Sequence, residues 1–311
     1  MLWVYPDYYN EFKCINKKCK HNCCIGWEID IDEDTFDFYK SIKGEFGERL
    51  RQNINISDAP HFVLGEKERC PFLNKENLCD IIITLGADNI CDICKEHPRF
   101  HNELPTRTES GLGLCCEEAA RIILGKKEKV KLIFSGDEAE KEEIIDLRDK
   151  VISVLQNRNK PIDKRITEIY DCFGVTKVKF DLKKWVDIFL SLERLDDGWT
   201  EILLILKQNI ATADFDGFKE YMKKRESEYE QLLVYIIYRY FANSFDIKEA
   251  QLVVAFAELV YRLIFSIGAV LFTLNGDFTF NDQIETVRMF SSEIEYSDEN
   301  LNIIFEELTN E

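Results

Sequence analysis

The chain has 311 residues, of which 45% are hydrophobic and 12% aromatic, and its formal net charge is −18 at pH 7. A chain of this length buries roughly three quarters of its unfolded surface, so disulfides or metals are not needed as the sole support of the fold. The composition excludes a disordered or low-complexity protein. Because affinity for nucleic acid rests on Lys and Arg side chains that neutralise phosphates, the charge also argues against DNA or RNA as a partner.

The first residues, MLWVYPDYYNEFK, lack the basic start, the apolar run and the small-residue cleavage site of a secretory signal. We therefore expect a cytoplasmic protein. In the cytosol thiols stay reduced, so a dense set of cysteines predicts a metal or catalytic site rather than a disulfide framework.

The cysteines are concentrated at one end of the sequence. Ten of the eleven, and all four histidines, lie between Cys14 and Cys116, and only Cys172 lies beyond. This shift predicts a cysteine-rich, metal-binding domain over residues 1–128 and a second domain over residues 129–311.

The first region has short segments. GWEIDID (26–32) alternates like an exposed strand, HFVLGEKERCPFL (61–73) indicates another extended piece, and residues 33–54 have helical spacing. A short helix after Cys116 should end at Gly125. This domain is predicted to contain short β segments joined by loops.

The second region has apolar residues at three- and four-residue steps and predicts a helical bundle. The predicted helices cover residues 137–158, 182–195, 218–245, 246–274 and 281–308. The basic run from Lys160 to Lys184 is typical of a solvated face. The fold class is therefore mainly α.

The apolar run from Leu252 to Leu274 is long enough to cross a bilayer. However, Glu258 and Arg262 lie one turn apart inside it and can form an ion pair. We predict a buried core helix and a protein that is not integral to a membrane.

The cysteine spacing predicts a metal without identifying it. Cys91 and Cys94 form the one CxxC, whereas zinc ribbons and fingers combine two such pairs, or one pair with spaced histidines. The spacings also differ from those of ferredoxins. Adjacent Cys23 and Cys24 would point apart in a regular segment, so we expect at most one of them to contact a given ion.

Three cysteine blocks and two C-terminal segments together resemble the flagellin lysine-N-methylase family of the FliB type. The blocks are FKCINKKCKHNCCIGWEIDID, RCPFLNKENLCDIIITLGADNICDICKEHPRF and LGLCCEEAARIILG, and the segments are YEQLLVYIIYRYF and VRMFSSEIEYSDENL. The N-terminal part is similar to a broader group of iron- or zinc-chelating cysteine domains.

The resemblance implies a set of metal-ligating cysteines, namely Cys14, Cys19, Cys23, Cys24, Cys70, Cys79, Cys94 and Cys116. Cys91 and Cys115 fall where the family pattern does not require cysteine. Glu117 stands where the family often has proline, and Tyr296 stands where it has histidine. The second departure argues against a catalytic use of position 296.

The same resemblance implies methyl transfer from S-adenosylmethionine to lysine side chains of flagellin, with a 4Fe-4S cluster required. Zinc is the alternative metal. Two other classes remain open, a non-enzymatic zinc- or iron-binding interaction module and a redox or metal-storage protein. The second region lacks the alternating strands and helices, and the GxGxxG turn, of the usual methyltransferase fold. A homo-oligomer is possible.

The residue chemistry adds weaker candidates. Arg99 could bind the carboxylate of the methyl donor, and His21 could serve as a metal ligand or ligand support. We expect Trp27 to pack over the metal site and Cys172 to be a small buried residue.

Methyl transfer needs a neutral amine and aromatic rings that can hold a cation. The tyrosines of EYEQLLVYIIYRY, Glu293 and Glu295 could supply these functions, although the two glutamates are predicted to be solvated. The sequence assigns no catalytic base.

Overall fold

The computed structural model describes residues 1–57, 59–137, 140, 142–175 and 177–310. They form two compact units, one of Lys13–Phe100 and one that combines Met1–Phe12 with His101–Glu311. These units divide the chain after residues 12 and 100, whereas the sequence placed a boundary after residue 128. Independent folding of residues 1–128 and 129–311 stays a prediction.

Within the described ranges, the strands are β1 (Leu2–Pro6), β2 (Ile54–Asn55), β3 (His61–Phe62), β4 (Arg99–Glu103), β5 (Arg107–Leu112) and β6 (Leu132–Ser135). The helices are α1 (Glu33–Ser41), α2 (Gly44–Gln52), α3 (Asp80–Leu85), α4 (Asp92–Glu96), α5 (Glu117–Gly125), α6 (Glu143–Leu155), α7 (Ile162–Phe173), α8 (Leu182–Ser191), α9 (Asp197–Asn209), α10 (Phe215–Met222), α11 (Glu226–Tyr240), α12 (Ile247–Asn275), α13 (Phe280–Phe290) and α14 (Asp298–Thr309). The prediction of a mainly α protein is confirmed.

The unit Lys13–Phe100 contains α1 to α4 and the antiparallel pair β2 and β3. The helix predicted over residues 33–54 is two helices, because Ile42 and Lys43 are extended and Gly44 has φ +81°. A Cβ on Gly47 would lie 2.0 Å from the carbonyl oxygen of Ile42. The chain therefore folds back on itself too tightly for any other residue at this position.

The strand predicted over residues 26–32 is wrong, since this part of the chain makes only single bridges, at Ile25 and Asp30. The alternation that suggested it is nevertheless real, because Ile29 and Ile31 are buried in the core. The extended piece predicted over residues 61–73 is a strand only at β3. In residues 26–32 the side chains therefore alternate as in a strand, but the backbone forms no continuous hydrogen-bonded ladder.

The other unit has a sheet in the order β4, β5, β1, β6. β1 runs parallel to β5, with Leu2 opposite Arg107, and antiparallel to β6, with Trp3 opposite Ser135. The first strand of the chain therefore belongs to the same compact unit as the helices that follow residue 101.

The predicted helices 182–195 and 246–274 and the short helix ending at Gly125 are confirmed as α8, α12 and α5. The helix predicted over residues 137–158 is confirmed as α6, although residues 138, 139 and 141 lie outside the described part. Helix α12 packs against α11, α9, α10 and α14. Of its most apolar window, 89% is buried inside the protein, as expected of a core helix.

The basic run is more than a solvated face, because it contains α7, on which Ile166, Ile169 and Tyr170 are buried. Arg165 of the same helix is buried beside the carboxylates of Glu226 and Glu230. The sequence also did not predict α9.

The remaining predicted helices are interrupted. Residues 218–245 form the end of α10, a 3₁₀ turn, α11 and a second 3₁₀ turn. Residues 281–308 form α13, a π turn at Ser291–Glu295 and α14, whose N-cap is Ser297. Single π turns inside helices are frequent at functional sites.

Candidate functional sites

The unit Lys13–Phe100 gathers cysteine side chains in its apolar core. Cys70 and Cys91 are buried there, and Cys24, Cys79 and Cys94 pack against the same core. The backbone amide of Cys70 donates to the carbonyl of Cys24 at 2.8 Å, which joins the first and second cysteine blocks. Residues far apart in the sequence therefore place their thiols in one region.

Two pairs of these thiols are hydrogen bonded. The Sγ atoms of Cys91 and Cys94 lie 3.4 Å apart, and this contact lowers the pKa of Cys91 and raises that of Cys94. The hydrogen bond between Cys23 and Cys24 likewise lowers the pKa of Cys23 and raises that of Cys24. In each pair one thiol stabilises the thiolate of the other, and thiolates are the form that binds metals.

Cys23 and Cys24 lie in a turn, not in a regular segment, and their side chains are hydrogen bonded to each other. That at most one of them contacts a given ion stays a prediction. Cys91, which the family pattern did not require, belongs to the thiol cluster. The CxxC spacing was the sequence signal for it.

The other predicted metal ligands have different surroundings. Cys14 is exposed, with its Sγ 3.8 Å from Oδ1 of Asn16, and the Cys19 thiol donates to the carbonyl of His21 at 3.0 Å. Cys116 is the N-cap of α5 and belongs to the other compact unit. The ligand roles of these residues stay predictions, as does that of His21.

We call Cys23, Cys24, Cys70, Cys79, Cys91 and Cys94 the thiol cluster. Its chemistry fits a thiophilic metal such as iron or zinc. Its positions form no finished ligand set, because no group of three or more His, Cys, Asp or Glu among the described residues is placed to hold an ion. None of the eleven cysteines, all within the described ranges, forms a disulfide.

Trp27 packs against this core, as predicted, and its indole lies 6.1 Å from the imidazole of His97. Burial lowers the pKa of His97 to about 4, so this imidazole is neutral at neutral pH. Arg99 donates to the carbonyl of Lys95 at 3.2 Å. Its predicted contact with a methyl donor stays a prediction. Cys172, expected to be buried, is half-buried at the end of α7.

A second site lies in the other unit, where α11 meets the π turn. We call Tyr235, Arg239, Tyr240, Glu295 and Tyr296 the tyrosine–glutamate cluster. The Tyr235 hydroxyl lies 3.1 Å from both carboxylate oxygens of Glu295, and the Tyr240 hydroxyl donates to Oε1 at 2.9 Å. Arg239 donates to the Tyr235 oxygen at 2.6 Å, and its Nε lies 3.5 Å from Oε1.

Three tyrosine rings surround the cation of this cluster. The guanidinium carbon of Arg239 lies 5.9 Å from the ring centre of Tyr235 and 5.5 Å from those of Tyr240 and Tyr296. These distances are within the range of cation–π attraction. Burial, followed by the charge of Glu295, raises the pKa of Tyr240 well above its ordinary value, so its phenol stays protonated and donates.

The prediction that Glu293 and Glu295 are solvated is wrong, since both are buried. The two side chains leave the π turn towards different partners. Glu295 joins the tyrosines, whereas Glu293 accepts the backbone amides of Leu195 and Asp196 at the start of α9. The sequence showed both carboxylates on one predicted helix but could not show the π turn.

Tyr296 hydrogen bonds to Cys115. Burial raises the pKa of the Cys115 thiol to about 12, although this hydrogen bond acts in the opposite direction. Cys115 is therefore protonated at neutral pH and poorly suited to bind a metal in this state. Its role here is to contact the edge of the tyrosine–glutamate cluster.

Two cavities lie in this unit. One, of about 460 Å³, is lined in part by Tyr240, Glu249, Phe305 and Glu306. The other, of about 260 Å³, is lined by Lys219 and Arg262 among others. In this smaller cavity, Lys219 forms an ion pair with Asp163 and Arg262 forms one with Glu258. Only the larger cavity reaches the usual size of small-molecule sites.

Comparison with known proteins identifies the C-terminal part. Residues 172–311 match the family model described as the FliB lysine N-methylase C-terminal domain. The tyrosine–glutamate cluster lies entirely within the matched residues. No solved structure matches the chain.

Among curated proteins, the flagellar biosynthetic protein FliU of Salmonella muenchen is 28% identical over 134 residues, which cover 41% of this chain and 79% of that protein. The lysine-N-methylases of Salmonella typhimurium and Salmonella choleraesuis are each 26% identical over 141 residues, 41% of this chain. The match spans only 33% of the length of each lysine-N-methylase.

Proposed function

We propose that this chain, which belongs through residues 172–311 to the FliB-like lysine N-methylase family, is a protein-lysine N-methyltransferase. One observation carries the proposal. The matched residues contain a buried carboxylate that is hydrogen bonded to two tyrosines and lies beside an arginine, and one of these tyrosines, Tyr240, lines a cavity. The relatives named lysine-N-methylase support the same activity.

The reaction needs a lysine amine without its proton. An ordinary lysine has a pKa near 10.4, so deprotonation at pH 7 costs about 4–5 kcal/mol. A buried carboxylate can accept this proton, and aromatic rings can hold the cationic groups involved. Glu295 supplies the carboxylate, and Tyr240, a residue of the cavity lining, donates its hydroxyl to that carboxylate.

Arg239 and Tyr235 position Glu295. The hydroxyl of Tyr235 donates to the carboxylate, and Arg239 fixes that hydroxyl from the other side. Arg239 also places its positive charge beside this buried carboxylate, with Nε 3.5 Å from Oε1 of Glu295. Arg239 and Tyr235 therefore fix the position of the Glu295 carboxylate, the proposed proton acceptor, in a buried site.

S-adenosylmethionine is the proposed methyl donor, and an iron–sulfur cluster is the proposed resident cofactor, with zinc as the alternative. The thiol cluster would hold it, because five of its cysteines share one core and the pairs Cys23–Cys24 and Cys91–Cys94 each favour one thiolate. Such a cluster supplies redox or Lewis-acid chemistry when bound. Its ligand set has to be completed by rearrangement of these side chains.

Flagellin is the proposed protein substrate, and the cytoplasm is the proposed location. Support comes from the relatives, one of which is named a flagellar biosynthetic protein. The net charge of −18 suits a substrate that presents lysines.

The test is transfer of a labelled methyl group from S-adenosylmethionine to flagellin lysines, with protein purified without oxygen. Glu295→Gln should lower kcat by about 10²- to 10⁴-fold because the proton acceptor is lost. Tyr240→Phe removes one hydroxyl and is the milder second variant. Glu299→Gln, an exposed acid on α14, is the control. Full activity in folded Glu295→Gln and Tyr240→Phe would overturn the assignment of the site.

A further inference from the structure

The larger cavity has an uneven distribution of charge. It lies where the end of α11, the first turns of α12 and the last turns of α14 meet, and Glu249 and Glu306 are in its lining. Among its described lining residues there is no Lys, Arg or His. Residues 291–311 likewise contain seven acidic residues and no basic one. A cavity of this kind favours a cation and disfavours an anion.

The end of α14 adds to this preference. Phe305, Glu306 and Thr309 bring the last turn of the helix to the cavity, and the C-terminal end of a helix carries partial negative charge. No basic side chain occupies this last turn. The helix therefore attracts a cation that its own sequence does not supply.

The rest of the lining suits a long aliphatic stem. Leu252, Val253 and Phe305 give the cavity apolar surface, along which the methylenes of a lysine can pack while the ammonium reaches polar groups. Ser244 and Asn302 add polar residues to the lining.

From these features we infer that the cavity takes the side chain of the substrate lysine, guided by Glu249 and Glu306 to the ring and hydroxyl of Tyr240. The inference rests on the proposed function and adds the substrate-binding residues to it. Proton transfer then follows from the hydrogen bonds present. The ammonium gives one proton to the Tyr240 oxygen, while Tyr240 gives its own proton to Glu295. The result is a neutral amine and a neutral carboxylic acid, so charge is conserved.

The experiment measures binding of a lysine-containing flagellin peptide to the full chain by calorimetry, without a methyl donor. Glu249→Gln with Glu306→Gln should weaken binding about tenfold or more, because the lysine ammonium loses two charge-assisted hydrogen bonds. Gln at position 249 can still accept the Phe245 amide, which Glu249 accepts at 2.8 Å, so α12 keeps its start. Glu299→Gln is the matched control outside the cavity.

A second variant acts without removing charge. Leu252→Trp should fill the cavity and weaken binding, and acetylation of the peptide lysine should abolish the difference between wild type and the double variant. Unchanged affinity in both variants, with methyl transfer intact in the wild type, would overturn the inference and leave the proposed function standing. Lysine-dependent binding that the variants weaken, with no methyl transfer by the wild type, would instead overturn the proposed function.

Discussion

The two compact units are stabilised in different ways. In Lys13–Phe100 the helices have between five and nine residues, and the small core includes cysteine side chains. In the other unit, α12 alone has 29 residues and is surrounded by helices. Helices shorter than about 12–15 residues are marginal by themselves, so the first unit depends on the packing of its core. We expect a metal held by its thiols to stabilise this unit further. The second depends on packing and buried ion pairs.

The largest expected effect concerns the thiol cluster. Cys70→Ser or Cys94→Ser should remove bound metal, because serine is not a thiolate ligand and both positions lie in the core. Cys172→Ser, in the other unit, should retain it. Iron, zinc and sulfide measured per protein chain check this. Full metal content in both Cys70→Ser and Cys94→Ser would refute the claim that the thiol cluster holds the metal.

A buried ion pair provides the second test, in the helical unit. Glu109 and Arg148 are fully buried and paired, so Glu109→Ala should lower the free energy of unfolding by about 3–5 kcal/mol, because the buried Arg148 keeps only Asp149 of its two acidic partners. The partly exposed pair Glu118 and Arg121 is the control, and Glu118→Gln should change stability by less than about 1 kcal/mol. Denaturant unfolding followed by tryptophan fluorescence measures both, and equal effects would contradict the comparison.

Thiol reactivity gives a smaller effect. With a pKa of about 12, only about one Cys115 thiol in 10⁴ is ionised at pH 8, whereas Cys14 is exposed. We expect alkylation of Cys14 first and Cys115 last when the sites are followed by mass spectrometry. Raising the pH should speed labelling of Cys115. Labelling of both residues at the same rate in folded protein would show that Cys115 is more accessible or more acidic than its burial implies.

Much of the helical unit was predictable because its apolar residues recur with helical period over long segments, as in α12 and α8. The failures occur where tertiary contacts decide the backbone. Gly44 and the packing of Gly47 divide one predicted helix, and the π turn at Ser291–Glu295 divides another. Neither feature has a periodic signal.

The candidate sites were predictable to different degrees. Residue type and spacing pointed to the thiols, but the convergence of Cys23 with Cys24 depends on a turn that periodicity does not reveal. The sequence analysis named the tyrosines of α11 and Glu295 as residues suited to methyl transfer. It did not predict that they contact each other, because residues 55–60 positions apart in the sequence meet only in the fold.

The most direct test measures bound metal and methyl transfer together in Cys70→Ser and Glu295→Gln. Our account predicts that Glu295→Gln keeps its metal and loses methyl transfer to flagellin lysines, while Cys70→Ser loses the metal. Loss of metal in folded Glu295→Gln, or undiminished methyl transfer by it, would contradict the claim that the thiol cluster holds the metal and the tyrosine–glutamate cluster accepts the lysine proton.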